Sequence, residues 1–171
     1  MMFSATRAAL ALGLVFASGL ATAQTKTPGV TATEIKIGQT MAYSGPVSAY
    51  GILGKTDEAY FRAVNAKGGI NGRKIVFLSK DDAYQPPKAI ENVRALVESD
   101  EVALIFGVLG TPINMAIRPY LNSKKVPQIF ISAGSSAFND PQNFPWTMGW
   151  QPNLRSEANF YASDILKRLP N

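Results

Sequence analysis

Apolar positions along this chain recur in two alternating periods. Glu34-Ile35-Lys36-Ile37-Gly38 alternates polar and apolar and then breaks at Ala42-Tyr43-Ser44-Gly45-Pro46, the pattern of a first strand running into a turn. Ile52, Ala59, Tyr60, Ala63 and Val64 follow at i, i+7, i+8, i+11 and i+12, a spacing that predicts a helix with these residues on its apolar face. Gly68-Gly69 ends it, because glycine takes up the left-handed backbone of a C-cap without steric cost. Asn71-Gly72 then marks a tight turn into a second strand, Lys74 to Ser79.

Pro86-Pro87 opens a second helix, with Ala89, Ile90, Val93, Leu96 and Val97 on one face and Glu91, Arg94 and Glu98 on the other. Val102-Ala103-Leu104-Ile105-Phe106 has no polar member, as expected of a strand buried on both faces. Thr111-Pro112 reads as an N-cap followed by proline at the first helical position, and Ile113, Ala116, Ile117, Tyr120 and Leu121 continue a helical stripe. Lys124 and Lys125 stand where a helix C-terminus favours cations. A fourth strand is expected at Gln128 to Ile131, a loop at Gly134 to Pro145, a short strand at Trp146 to Trp150, and a helix marked by Leu154, Ala158, Tyr161 and Ile165. Repeated strand-helix alternation with continuous apolar strands predicts an α/β, three-layer architecture: a parallel sheet with helices on both faces.

The N-terminus reads differently. Arg7 precedes an apolar stretch, Ala8 to Leu20, and Ala21-Thr22-Ala23 supplies the small-x-small pattern of a signal peptidase site. The stretch falls short of the ~20 residues that span a bilayer, so residues 1–23 are expected to be a cleaved secretory signal peptide, delivering the protein to the periplasm. The chain has no cysteine, which excludes a lipid-anchored form.

Charge changes the picture little. The chain carries 17 Lys and Arg against 12 Asp and Glu, and the leader holds only Arg7, so the mature excess is four positive charges. These are scattered, with Lys124-Lys125 the only adjacent pair, and form no basic stripe for nucleic acid. The lack of both Cys and His removes thiol nucleophiles, Ser-His-Asp triads and thiolate or imidazole metal sites together. The expectation is a non-enzymatic protein that needs no metal or cofactor.

In an open parallel sheet, ligands collect beyond the carboxyl ends of the strands, where helix N-termini present unpaired N–H groups. Tyr43 to Tyr50, Gly107 to Thr111 and Ser132 to Ser136 are three such loops, rich in Gly, Ser and Thr. They suit either a small carboxylate or ordinary capped turns. Gly107-Val108-Leu109-Gly110 lacks the GK[ST] ending of a phosphate loop. Asp81-Asp82 reads as a turn and cap rather than a metal pair, and Trp146 and Trp150 as packing aromatics more than stacking ones.

Glu34-Ile35-Lys36-Ile37-Gly38, Ser44-Gly45-Pro46, Tyr50-Gly51, and then Asn65-Ala66-Lys67-Gly68-Gly69-Ile70-Asn71-Gly72 followed by Asp81-Asp82 resemble, in order and spacing, the leucine/isoleucine/valine-binding periplasmic proteins. The resemblance covers Val30 to Leu169 and implies a type I periplasmic-binding fold, in which two lobes close on a branched-chain amino acid or a related small carboxylate or amide. It also implies a membrane permease of an ABC importer as partner; a sensory or regulatory domain of the same fold is the alternative. By that resemblance Thr111, preceded by Gly110, offers a hydroxyl and backbone amides to the ligand carboxylate, and Pro112 removes one donor there. The following loop, Ala133-Gly134-Ser135, offers a carbonyl to the ammonium and a hydroxyl to the carboxylate, and Tyr50 borders the ligand side chain. Residues 24–148 then correspond to the N-terminal lobe, largely present, and 149–171 to a crossing and first helix of a second lobe that is mostly missing.

Overall fold

A computed structural model describes residues 27–169; the signal peptide expected at 1–23 lies outside them. The sheet has five parallel strands, β1 (Glu34–Met41), β2 (Lys74–Asp81), β3 (Leu104–Phe106), β4 (Gln128–Ile131) and β5 (Thr147–Gly149), in the order β2-β1-β3-β4-β5. The helices between them are α1 (Gly51–Ala66), α2 (Pro86–Glu98) and α3 (Thr111–Ser123), and α4 (Leu154–Arg168) follows the last strand. Order reverses between β1 and β3, the place where an open parallel sheet opens a crevice.

Two cores cover the two faces. On one, Ala89, Val93 and Leu96 of α2 and Ile113, Ile117 and Leu121 of α3 close over Val102, Ile105 and Val108. Gly38 permits this approach: a Cβ there would stand 2.9 Å from the Ile105 Cδ1 and 3.1 Å from Val102. On the other face α1 lays Phe61 against Ile37 and Ile75, with Val64, Phe77 and Phe106 around them. Rings continue across that face from Phe61 to Phe106, Phe130 and Trp150, at centroid spacings of 5.5, 5.5 and 5.2 Å.

The inward face of α1 differs from the apolar stripe in its sequence. Ile52 and Tyr60 are 60% and 66% exposed, whereas Gly51, Gly54 and Phe61 are buried. The side chains of Tyr43 and Gln39 fill the space a Cβ at Gly54 would need, so the helix approaches through glycines that carry no apolar signal. At the start of α3, the cap is Gly110 (φ 87°, ψ 144°), with Thr111 as the first helical residue and Pro112 as the second; Thr111 is therefore not the N-cap. The third departure is in β4, where Phe130 has φ 54° and the pairing with β5 shifts register between Gln128 and Ile131. That bulge lets Gln128 and Ile131, three residues apart, both be fully buried.

Leu96→Ala should lower the unfolding free energy by about 2–5 kcal/mol in urea titrations, from lost burial and the cavity left behind. Ile52→Ala, on the apolar stripe but exposed, should change it by less than about 0.5 kcal/mol. Equal effects would place Ile52 in the core and refute the register of α1.

Candidate functional site

The three glycine- and hydroxyl-rich loops converge at the carboxyl end of the sheet, each held by a buried or half-buried polar side chain. The first and second strands are joined through Asp81, whose Oδ1 accepts the backbone N–H groups of Tyr43, Ser44 and Ala83, each at 3.0 Å. Its Oδ2 accepts the Ser44 hydroxyl at 2.6 Å and the Lys88 ammonium at 3.0 Å. Asp82, 2% exposed, accepts from Thr40 Oγ1 and from the Tyr84 amide, both at 2.8 Å. The contacts bear out the turn expected of this pair but not the cap, since α2 is capped at Gln85 with no side-chain hydrogen bond. Among the described residues no group of three or more His, Cys, Asp or Glu side chains is placed to hold a metal.

Their electrostatics diverge. The Ser44 hydroxyl, aided by the Ala83 amide and Lys88, holds the Asp81 carboxyl well below the usual carboxylate range against the opposing effect of burial. Burial pushes Asp82 the other way, only partly offset by Thr40 and the Tyr84 amide.

The loop after β3 is fixed from below by Asn114, whose Nδ2 donates to the carbonyls of Val108 and Gly110, both at 2.8 Å. Gln128 Nε2 donates to Asn114 Oδ1 at 2.8 Å, and the Gly110 amide donates to Ser132 O at 3.1 Å, tying this loop to the one after β4. Thr111, half-buried, follows a cap that uses no side chain, so its hydroxyl is not spent on capping. Its N–H, in the first helical turn, has no intrahelical acceptor. In the loop after β4, Ser135 Oγ caps a short 3-10 turn, Ser136–Phe138, by accepting from Ala137 N at 3.3 Å. Arg118, 8% exposed, donates to Ala137 O at 2.6 Å and lies 3.6 Å from the centroid of the Phe144 ring, anchoring the far side of that loop.

Around this frame the surface is divided. Tyr50 lines one recess with Val47, Tyr84, Leu109, Ser132 and Gln151. Ala133 and Ser135 line a second with Thr147, Gly149, Gln151 and Asn153. Gly134 faces a third, beside Leu154, Phe160 and Tyr161 of α4, and its carbonyl accepts the Leu154 amide at 2.8 Å. Gly110 and Thr111 line none of these three recesses, and Tyr84 lies over Gly110. The sequence-derived residues thus surround one end of the sheet without sharing a single recess. Gln151, common to all three, and Tyr84 were not legible as site residues. Trp150 packs edge-on against Phe130 yet stays 66% exposed, and the Trp146 backbone N–H donates to Asn122 Oδ1 at 3.0 Å.

A family model described as "Periplasmic binding protein" matches residues 34–168. Leu/Ile/Val-binding protein homolog 7 of Brucella suis is 31% identical over 137 residues, covering 80% of this chain and 32% of that protein. A possible leucine/isoleucine/valine-binding protein from Rhodopirellula baltica superposes with a TM-score of 0.74 at 22% identity, over 85% of this chain and 38% of that one. A branched-chain amino acid transporter substrate-binding protein from Streptococcus pneumoniae, solved with isoleucine, gives a TM-score of 0.61 at 25% identity over 71% of this chain and 34% of that one. The chain spans about a third of the length of the relatives it matches.

The opposed carboxyls give a pH test. A carboxyl whose pKa is depressed on folding contributes stability that is present above its unfolded value, about pH 4, and is lost as pH falls toward the folded value. Wild-type chain should therefore lose more stability than Asp81→Asn between about pH 4 and pH 2.5, measured by denaturant midpoints. Parallel curves would show that Asp81 does not carry this acid sensitivity.

Proposed function

The chain belongs to the periplasmic binding protein family, and on that premise we propose that it is the extracytoplasmic solute-binding component of an ABC importer. Its fold is the type I periplasmic-binding fold, and its named relatives are binding proteins, not enzymes. The solute is a branched-chain amino acid or a related small carboxylate or amide, handed on to a membrane permease. Export through the leader at 1–23 places the encounter in the periplasm.

One observation carries the reading: at the carboxyl end of the sheet a helix N-terminus with an uncommitted hydroxyl, Thr111, stands next to a second hydroxyl loop to which it is hydrogen-bonded through Gly110 and Ser132. Uncharged donors aimed from a helix N-terminus suit a carboxylate, because the helix supplies partial positive charge and unpaired N–H groups where the ligand brings negative charge. Ala133 and Ser135 line the adjoining recess and supply an acceptor for an ammonium and a second hydroxyl for the carboxylate.

Residues 24–148 act as one lobe, and 149–171 as the crossing toward, and first helix of, a second. In support, α4 has no buried residue and exposes Leu154, Phe160, Tyr161, Ile165 and Leu166, an apolar set that a neighbouring layer would cover. Closure of two lobes would then exclude water from the carboxylate and strengthen each hydrogen bond to it.

Saturation-transfer NMR of the chain with isoleucine should detect binding, weakened about tenfold or more by Thr111→Val and by Ser135→Ala, the loss expected for a hydrogen bond to a charged group. Transfer that neither substitution alters would remove this site, and no transfer with any small amino acid at millimolar concentration would remove the function.

A further inference from the structure

From the geometry around Tyr84 we infer that this residue determines specificity, making the recess beside Thr111 select a carboxylate ligand that carries an aromatic ring over one with an aliphatic side chain. The inference rests on the solute-binding reading above and, within that class, favours the related small carboxylates that bear a ring over the branched-chain amino acids.

The backbone that presents Tyr84 is held in an unfavourable shape. Ala83 and Tyr84 are consecutive and both left-handed, at φ 51° and 60°, a region costly for residues with a Cβ. Such a conformation persists only where its surroundings over-determine it, and it clusters at ligand sites. Here the surroundings are explicit: buried Asp82 accepts the Tyr84 amide at 2.8 Å on Oδ1, the Thr40 hydroxyl fixes Oδ2, and Gln85 N donates to Asp82 O at 2.8 Å.

The ring lands over Gly110, whose missing Cβ leaves room for the phenol, and whose φ of 87° independently requires glycine. Tyr84 therefore begins the recess one residue from Thr111, the proposed carboxylate donor. The recess, about 480 Å³ and within the range of small-molecule pockets, is walled by Tyr50, Tyr84, Leu109 and Val47, with the Ser132 hydroxyl and the Gln151 amide as its polar lining. None of those six side chains is charged, so the far end of the ligand is uncharged. Two phenols on one small recess offer edge and face contacts that only another ring can return, a gain of about two- to tenfold over apolar burial alone.

Phenylalanine and isoleucine share the same ammonium and carboxylate and so isolate the side chain. Saturation-transfer titrations of the full chain should give phenylalanine a dissociation constant about two- to tenfold below that of isoleucine. Tyr84→Phe keeps the ring and should keep the ratio; Tyr84→Leu should bring it to about one. A wild-type preference for isoleucine, or a ratio that Tyr84→Leu leaves unchanged, overturns the inference and spares the solute-binding reading. Failure of both amino acids to bind overturns the two together, and Tyr84→Phe keeps the test open should the leucine variant not fold.

Discussion

The side-chain amide of Asn114 is the joint on which the carboxyl end of this sheet hangs. A parallel sheet leaves every strand-to-helix loop with backbone carbonyls that no strand satisfies, and buried carbonyls must find donors. One fully buried amide group adds a second donor to two loop carbonyls, Val108 O and Gly110 O, while its own oxygen takes a hydrogen from Gln128 of β4. Removing it would strip each carbonyl of one of its two donors, since Val108 O also accepts from Ser132 N and Gly110 O from the Asn114 backbone N–H, and would leave Gln128 Nε2 with only the longer contact to Asn114 O at 3.3 Å. Because Gly110 is also hydrogen-bonded to Ser132, the third and fourth loops are positioned as one body.

The other side of the sheet's carboxyl end is arranged by the same logic with charged groups. Asp81 gathers the backbone amides of the first loop and of its own turn, and Asp82 closes the turn that carries Tyr84. Gln39, buried in β1, plays the neutral counterpart beneath α1: its Nε2 donates to Asp57 at 2.8 Å and its Oε1 accepts from Ser79 at 2.9 Å. The hydrophobic layers hold the sheet together, but short polar side chains at its carboxyl end decide where the loops stand.

Much of the fold was legible because the strands and helices signal themselves by periods that packing then respects. The starts of α2 and α3, the fourth strand, and the last helix fell within a residue or two of their observed ends. What escaped were features carried by glycine and by backbone conformation. The α1 stripe misled because its contact face is built from Gly51, Gly54 and Phe61, and a glycine contact has no hydrophobicity to count. Gly110 was hidden as the cap because Thr111-Pro112 is itself a good capping pair, and the bulge at Phe130 has no compositional mark. Of the candidate site, the three loops were visible from Gly, Ser and Thr content. Gln151 and Tyr84 were not, since one lies beyond the fifth strand and the other depends on two left-handed residues after an Asp-Asp step.

The packing of Tyr84 over Gly110 also constrains how this sequence can drift. Position 110 cannot acquire any side chain while a large ring occupies the space, and no side chain readily adopts its backbone shape either. Position 84 can shrink first, at the expense of a gap in the recess wall, but position 110 cannot move first. Because its backbone shape keeps position 110 glycine even after the ring has shrunk, change at this corner runs through position 84 alone, and the identity of one tyrosine sets which neighbouring sequences are reachable by single substitutions.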